Sequence, residues 1–205
     1  WYDLQSYLFP WRKDYNAYKV WISEIMLQQS QVNVVIPYYN AWIKKFPTIQ
    51  HLSQSNLDQM LLLWQGLGYY NRVKNIFRTA NIINQEYNGV IPNTYEDLIM
   101  LKGIGDYTAS AILTIGFNIK AIPVDGNIHR VMSRLHELSA TKYQLSIIKS
   151  YTTQYISNTN PRNSVQSLMD LGREICKPQQ PNCGLCPLNL ECLSYKNNTM
   201  HLYPI

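Results

Sequence analysis

The stretch L101-K-G-I-G-D-Y-T-A-S-A111 joins two helical patterns through Gly103-Ile104-Gly105. Two glycines so close together let the chain reverse in a tight interhelical turn with several backbone N–H groups exposed. A helix N-terminus follows directly behind them. Such a turn can be a plain connector, or it can seat an anion such as a DNA phosphate. A dinucleotide-binding turn is disfavoured, because Thr108 stands where a third glycine is needed and no strand precedes the motif.

Outward from this hairpin the pattern stays helical. Apolar residues recur at spacings of three and four over 17–36, 57–64, 72–85, 106–117, 127–138 and 144–157. Pro37 is expected to end one helix. Pro47, Gly66-Leu67-Gly68, Gly89 and Pro92 mark further turns. Alternating strand patterns, internal repeats and low-complexity tracts are missing, so the chain reads as all-α, with about ten or more short helices. The 205 residues suffice for a full core, in one domain or two small ones. With no Gly-, Ser- or Pro-rich linker, any two domains are expected to share a broad interface.

Only 15% of the residues are charged, with a net charge of +5. That balance permits a polyanionic partner without establishing one, since Lys and Arg are dispersed. No apolar run approaches the roughly 18 residues of a membrane span, so no membrane partner is expected. A chain starting at Trp1 is expected to have lost a short leading segment. Its lack of a basic-then-apolar leader therefore excludes little.

Glu24, in Y18-K-V-W-I-S-E-I-M-L-Q-Q-S-Q31, is the only carboxylate between Asp14 and Asp58. An acid flanked by Trp21, Ile25, Met26 and Leu27 can face water on an amphipathic helix. It can also lie in a pocket where burial keeps its proton available for donation. Gln28, Gln29, Ser30 and Gln31 follow as a surface able to hydrogen-bond bases. Asp125, in I122-P-V-D-G-N-I-H-R130, is the only acid between Asp106 and Glu137. Its place suits a helix N-cap. Capping is compatible with an ionised carboxylate that stabilises a developing cation. One acid kept protonated and one kept charged are the usual equipment for breaking a glycosidic bond. In W64-Q-G-L-G-Y-Y-N-R72 a glycine turn presents two tyrosines, which can wedge into a base stack or pack between helices.

All four cysteines fall near the C-terminus: Cys176, Cys183, Cys186 and Cys192, spaced C-x6-C-x2-C-x5-C. Disulfides are disfavoured, because a chain this apolar needs no staples and Cys183 and Cys186 are too close to bridge easily. Structural zinc sites usually pair two short knuckles, and only the middle interval has that length. An iron–sulfur cluster also takes four cysteines and tolerates uneven spacing. Either metal reading implies a reducing compartment.

Together, P10-W-R12, YKVW-SE-MLQQ (18–29), GLGYY (66–70), LKGIG-YTA (101–109), VDGN-R (124–130), MDLG (169–172) and the cysteines resemble the MutY-type adenine DNA glycosylases. These belong to the helix-hairpin-helix glycosylase superfamily that also holds endonuclease III. The likeness covers essentially the whole chain. It implies a six-helix barrel module over 17–124, with the helix-hairpin-helix at about 95–117. An iron–sulfur domain would be built from 1–16 and 125–205. It also implies a [4Fe–4S] cluster on the four cysteines and double-stranded DNA containing a mispaired adenine as partner. By this resemblance Glu24 protonates the base, and Asp125 stabilises the cationic sugar. Tyr107 and Asn127 orient the water, Asp125 and sugar. Gln28, Gln29, Tyr69, Lys102, Gly103 and Gly105 would contact DNA; Trp11, Arg12, Leu27 and Gln166 would line the adenine pocket.

Endonuclease III-like bifunctional enzymes carry Lys where Tyr107 stands, so base removal without efficient strand cleavage is implied. Members of the family carry a C-terminal Nudix-like domain beyond the stretch matched here. A monomer is expected, cytoplasmic and nucleoid-associated if the source is bacterial. The alternatives are a thymine or uracil mismatch glycosylase of the same superfamily, or a non-catalytic, metal-bearing DNA-binding module.

Overall fold

The computed structural model describes residues 1–4, 9–139 and 145–204. Among them every regular element is helical, and they fall into two compact units, one of residues 9–117 and one of residues 1–4 with 118–204. Residues 9–16 and 118–124 therefore lie across the boundary from where the motif-based division puts them.

The first unit contains α1 (Ala17–Leu27), α2 (Val32–Lys45), α3 (Ile49–Ser53), α4 (Leu57–Trp64), α5 (Asn71–Glu86), α6 (Tyr95–Met100) and α7 (Asp106–Ala111). A π turn over Ile112–Gly116 continues α7, with the Phe117 N–H donating to the Ile112 carbonyl five residues back, at 3.2 Å. Large rings fill the core. Trp42 meets Trp64 and Phe46 edge-on, at 5.5 and 5.1 Å between centroids. Its indole N–H donates to the Tyr18 hydroxyl, which donates in turn to the Phe46 carbonyl.

The continuous helix expected over 17–36 is instead two, α1 and α2. The chain breaks at 28–31, where Gln29 takes a left-handed φ of 57°. Pro37 does not end a helix; it lies inside α2. A proline there removes the donor to the carbonyl of residue 33, but both residues face solvent, so water can take that carbonyl.

The second unit contains α8 (Gly126–Leu135), α9 (Leu145–Thr153), α10 (Pro161–Glu174) and α11 (Leu193–Lys196). Its core gathers Ile128, Val131, Met132, Leu135, Ile148, Val165, Leu168 and Leu171, with Cys176, Cys186 and Cys192 packed against it. Residue 144, at the start of the helix expected over 144–157, lies outside the described residues. Helix α10 is absent from the periodicity reading, although its start is well marked. The Asn160 side chain caps the Asn163 N–H at 3.2 Å and Pro161 occupies the first helical position.

Candidate functional site

Glu24 lies on α1 and is 7% exposed. Seven other residues of α1 are buried, so this helix has no broad wet face on which an acid could sit. The half-buried Tyr107, in the first turn of α7, donates its hydroxyl to Glu24 Oε2 at 2.7 Å. The two residues are 83 positions apart, and the hairpin is what brings them together. A carboxyl that accepts from a hydroxyl can still carry a proton of its own.

The hairpin itself is anchored on α5. The Lys102 carbonyl accepts from the Thr79 hydroxyl at 2.7 Å. Gly103 has φ +85°, and a Cβ there would meet Asn75 Cβ at 2.7 Å, so both conformation and space require glycine. Gly105 is extended and caps α7 without a side chain. Lys102, Gly103 and Gly105 are exposed, which leaves the turn open to a partner.

Gln28 ends α1 and donates to Thr108 Oγ1 at 3.4 Å. Gln28, Gln29, Tyr69, Tyr70, Asn71 and Arg72 line one surface depression of about 420 Å³. Tyr69 is 61% exposed and also left-handed, with φ 50°, so it does not pack between helices. Trp11 is buried, stacked on Phe9 at 5.3 Å and edge-on to Tyr39 at 5.4 Å. The Arg12 guanidinium lies 5.1 Å from the Phe9 ring, and Leu27 is half-buried at the last turn of α1.

In the second unit Asp125 is the N-cap of α8, as its sequence position indicates. Its Oδ1 accepts from the Ile128 N–H at 2.7 Å and its Oδ2 from the Asn127 amide at 2.8 Å. Burial pushes its carboxyl above the ordinary aspartate range, while Ile128, Asn127 and the Arg130 guanidinium all pull it back. These partners hold the anion in place; the helix N-terminus favours it too. Gly172 of α10 allows the close approach. A Cβ there would stand 2.6 Å from Asn127 Cβ and 3.0 Å from its backbone. Gln166 is buried on α10 and accepts from the Tyr2 hydroxyl at 2.8 Å.

Arg130 is a participant that sequence reading passes over. It donates to Asn127 Oδ1 at 2.9 Å, to the Gly172 carbonyl at 2.7 Å and to the Cys176 carbonyl at 2.7 Å. The first contact fixes which end of the Asn127 amide faces Asp125. Arg134, 4% exposed, reaches Cys176 Sγ at 3.6 Å and the Lys177, Pro178 and Tyr203 carbonyls at 2.7–2.9 Å. Arg72 is the third such cation. Long side chains in a chain poor in charge were the available signal; their distant partners, such as Cys176 for Arg130 and Gln28 for Arg72, were not.

The four cysteines are free and converge on one cavity, which Arg134, Ile175, Tyr195 and Met200 also line. Burial pushes Cys186 up to about 11 and raises Cys183 and Cys192, and charge on neighbouring thiols adds to each. No group of three or more His, Cys, Asp or Glu among the described residues stands at the spacing of a single metal ion. Four soft donors around one largely apolar cavity, with an arginine against the first, fit a thiolate-bound metal centre.

Residues 22–150 match the family described as HhH-GPD superfamily base excision DNA repair protein. The chain is 48% identical over 196 residues to the adenine DNA glycosylase of Buchnera aphidicola subsp. Baizongia pistaciae, covering 93% of this chain and 55% of that protein. It thus spans little more than half the length of that curated relative. Among solved structures, a thermostable thymine-DNA glycosylase superposes with a TM-score of 0.84 at 24% identity, covering 96% of this chain and 92% of that one. Endonuclease III in a non-covalent DNA complex gives 0.78 at 24% identity, covering 96% and 94%. The all-helical architecture is therefore that of the helix-hairpin-helix glycosylases.

Proposed function

Because the chain belongs to the HhH-GPD superfamily of base excision DNA repair proteins, we propose that it hydrolyses the N-glycosidic bond of adenine mispaired with 8-oxoguanine or guanine. It would act as a monomer on double-stranded DNA. The observation that carries this reading is the buried Glu24 held by Tyr107, in a sequence 48% identical to an adenine DNA glycosylase.

A purine leaves its sugar readily only when it departs neutral. Glu24 donates a proton to a ring nitrogen of the extruded adenine, and the bond to C1′ breaks with its electron pair going to the base. The positive charge left on the sugar is balanced by ionised Asp125, which Asn127 and the start of α8 keep in place. Water then bonds to C1′, and its proton goes to the Glu24 carboxylate, which restores the acid. Tyr107 orients Glu24 and has no amine, so no Schiff base forms and the strand stays intact. Lys102 and the Gly103–Gly105 turn take a phosphate; Gln28, Gln29 and Tyr69 fill the stack; Trp11, Arg12, Leu27 and Gln166 contact the base.

Cys176, Cys183, Cys186 and Cys192 would hold a [4Fe–4S] cluster, which supplies the cationic core that keeps four thiolates together and ties down the chain between them. Arg134 fixes Lys177 and Pro178, and Arg130 fixes the Cys176 carbonyl, so these residues hold the loop's start. Iron and sulfide analysis with visible absorption of anaerobically purified protein checks this. Stoichiometric zinc without broad absorption would contradict it.

The activity itself is tested by single-turnover reactions on A:8-oxoguanine, A:G and T:G duplexes with borohydride present or absent. Free adenine, intact strands before alkali and little trapped adduct are expected. Thymine release from T:G with A:8-oxoguanine untouched would replace this reading with the mismatch thymine enzyme. Efficient trapping would show that a lysine reaches the sugar.

A further inference from the structure

Arg72 is 9% exposed, yet no carboxylate among the described residues pairs with it. Its guanidinium instead donates to five backbone carbonyls. Nη1 reaches Ile25 and Met26 at 3.0 Å and Gln28 at 2.6 Å; Nη2 reaches Leu67 and Gly68 at 3.2 Å. These acceptors come from two separate places, the C-terminus of α1 and the turn after α4. The plane of the guanidinium is also flanked by rings, with Trp64 and Tyr69 both 5.3 Å away. Burial lowers its pKa, while Tyr69, the two rings and the carbonyl dipoles favour the cation.

Each gripped segment leads directly into a left-handed residue that is not glycine: Gln29 after the α1 carbonyls, Tyr69 after Leu67 and Gly68. Such backbone is costly and persists only where its surroundings hold it. An arginine that merely closed a helix end would need the α1 carbonyls alone. This one spans both strained turns, and both line the same depression. Only a planar fork of donors can do so; a lysine ammonium cannot.

The geometry points to Arg72 as a positioning residue that locks the Gln28-Gln29 and Gly68-Tyr69 turns into one rigid wedge for extruding the target base. This rests on the glycosylase reading above. Losing the lock uncouples extrusion from duplex binding, because phosphate contacts elsewhere are untouched.

The test uses the full chain and a duplex with 2-aminopurine replacing the target adenine, whose fluorescence rises on unstacking. A companion A:8-oxoguanine duplex gives the single-turnover rate, normalised to active molecules by burst amplitude. For Arg72→Lys, duplex Kd is expected to stay within about threefold. The fluorescence rise is expected to be lost, and the rate per active molecule to fall by about 10²-fold, as for a slightly misplaced reacting group. Gly68→Ala serves if the lysine variant does not fold. Gly68 has φ +76° with open space around its Cβ, so alanine strains the turn without a clash. It should show the same split in weaker form. A merely structural arginine would lower Tm and the active fraction while leaving rate and fluorescence per active molecule unchanged, and that result overturns the proposal. A wild-type chain that neither extrudes 2-aminopurine nor releases adenine overturns the glycosylase reading, and the wedge with it.

Discussion

The two acids singled out by their isolation, one in each compact unit, are held in opposite ways. Glu24 lies in mid-helix among apolar residues and takes a hydrogen bond from a neutral phenol. Asp125 stands at a helix start and takes bonds from a backbone N–H and an amide, with an arginine close by. A phenol can donate to a carboxyl in either protonation state. An N-terminus lined with donors favours the anion. The two settings differ in a way that suits the proposed division into proton donor and counter-charge, and each half of that division can be broken independently.

The largest expected effect is at Glu24. Glu24→Gln keeps the shape and the bond from Tyr107 but carries no transferable proton. Single-turnover adenine release should fall by about 10²–10⁴-fold with duplex affinity nearly unchanged. A rate close to wild type would remove Glu24 from the mechanism.

Asp125→Asn comes next. Asparagine caps a helix as well as aspartate does, but its Nδ2 would then face the Asn127 amide that Arg130 orients, so Tm should fall modestly. Release should slow by about 10²–10³-fold for want of a charge beneath the sugar. Were the cap its only role, catalysis per folded molecule would stay as it is. Asp125→Ala should additionally cost about 1 kcal/mol of stability, read by denaturant titration.

The smallest effect should follow Tyr107→Phe, which deletes one hydrogen bond to Glu24. Release should slow by about tenfold, the worth of roughly 1.4 kcal/mol. A loss as large as that of Glu24→Gln would mean that the phenol itself touches the reacting atoms.

The helical class and the hairpin were legible, because a 3.6-residue period and a two-glycine turn are local signals. Glu24 and Asp125 stood out as solitary acids in a chain poor in charge, and the structure buries the first and puts the second at a helix start. What local signals could not carry was long-range. Nothing near Gln28 indicates that Arg72, 44 positions on, takes its carbonyl and helps to end α1 there. Likewise the MDLG motif shows a glycine, but only packing shows that Gly172 makes room for Asn127. Pro37 misled because the cost of an interior proline depends on whether the orphaned carbonyl is wet, which sequence does not state. Helix α10 did carry its cap, Asn160-Pro161, and that pair reads equally well as a turn.

The most direct test of the contrast between the two carboxylates is the pH dependence of single-turnover adenine release by wild type and Asp125→Asn. Burial raises the Asp125 carboxyl, and the ionised form is the active one, so activity must be lost as pH falls through that raised value. Wild type should therefore show an acid limb above the ordinary aspartate range of about 4. The much slower Asp125→Asn variant should lack that limb. Superimposable profiles for the two proteins would contradict the assignment of Asp125 as the charged partner.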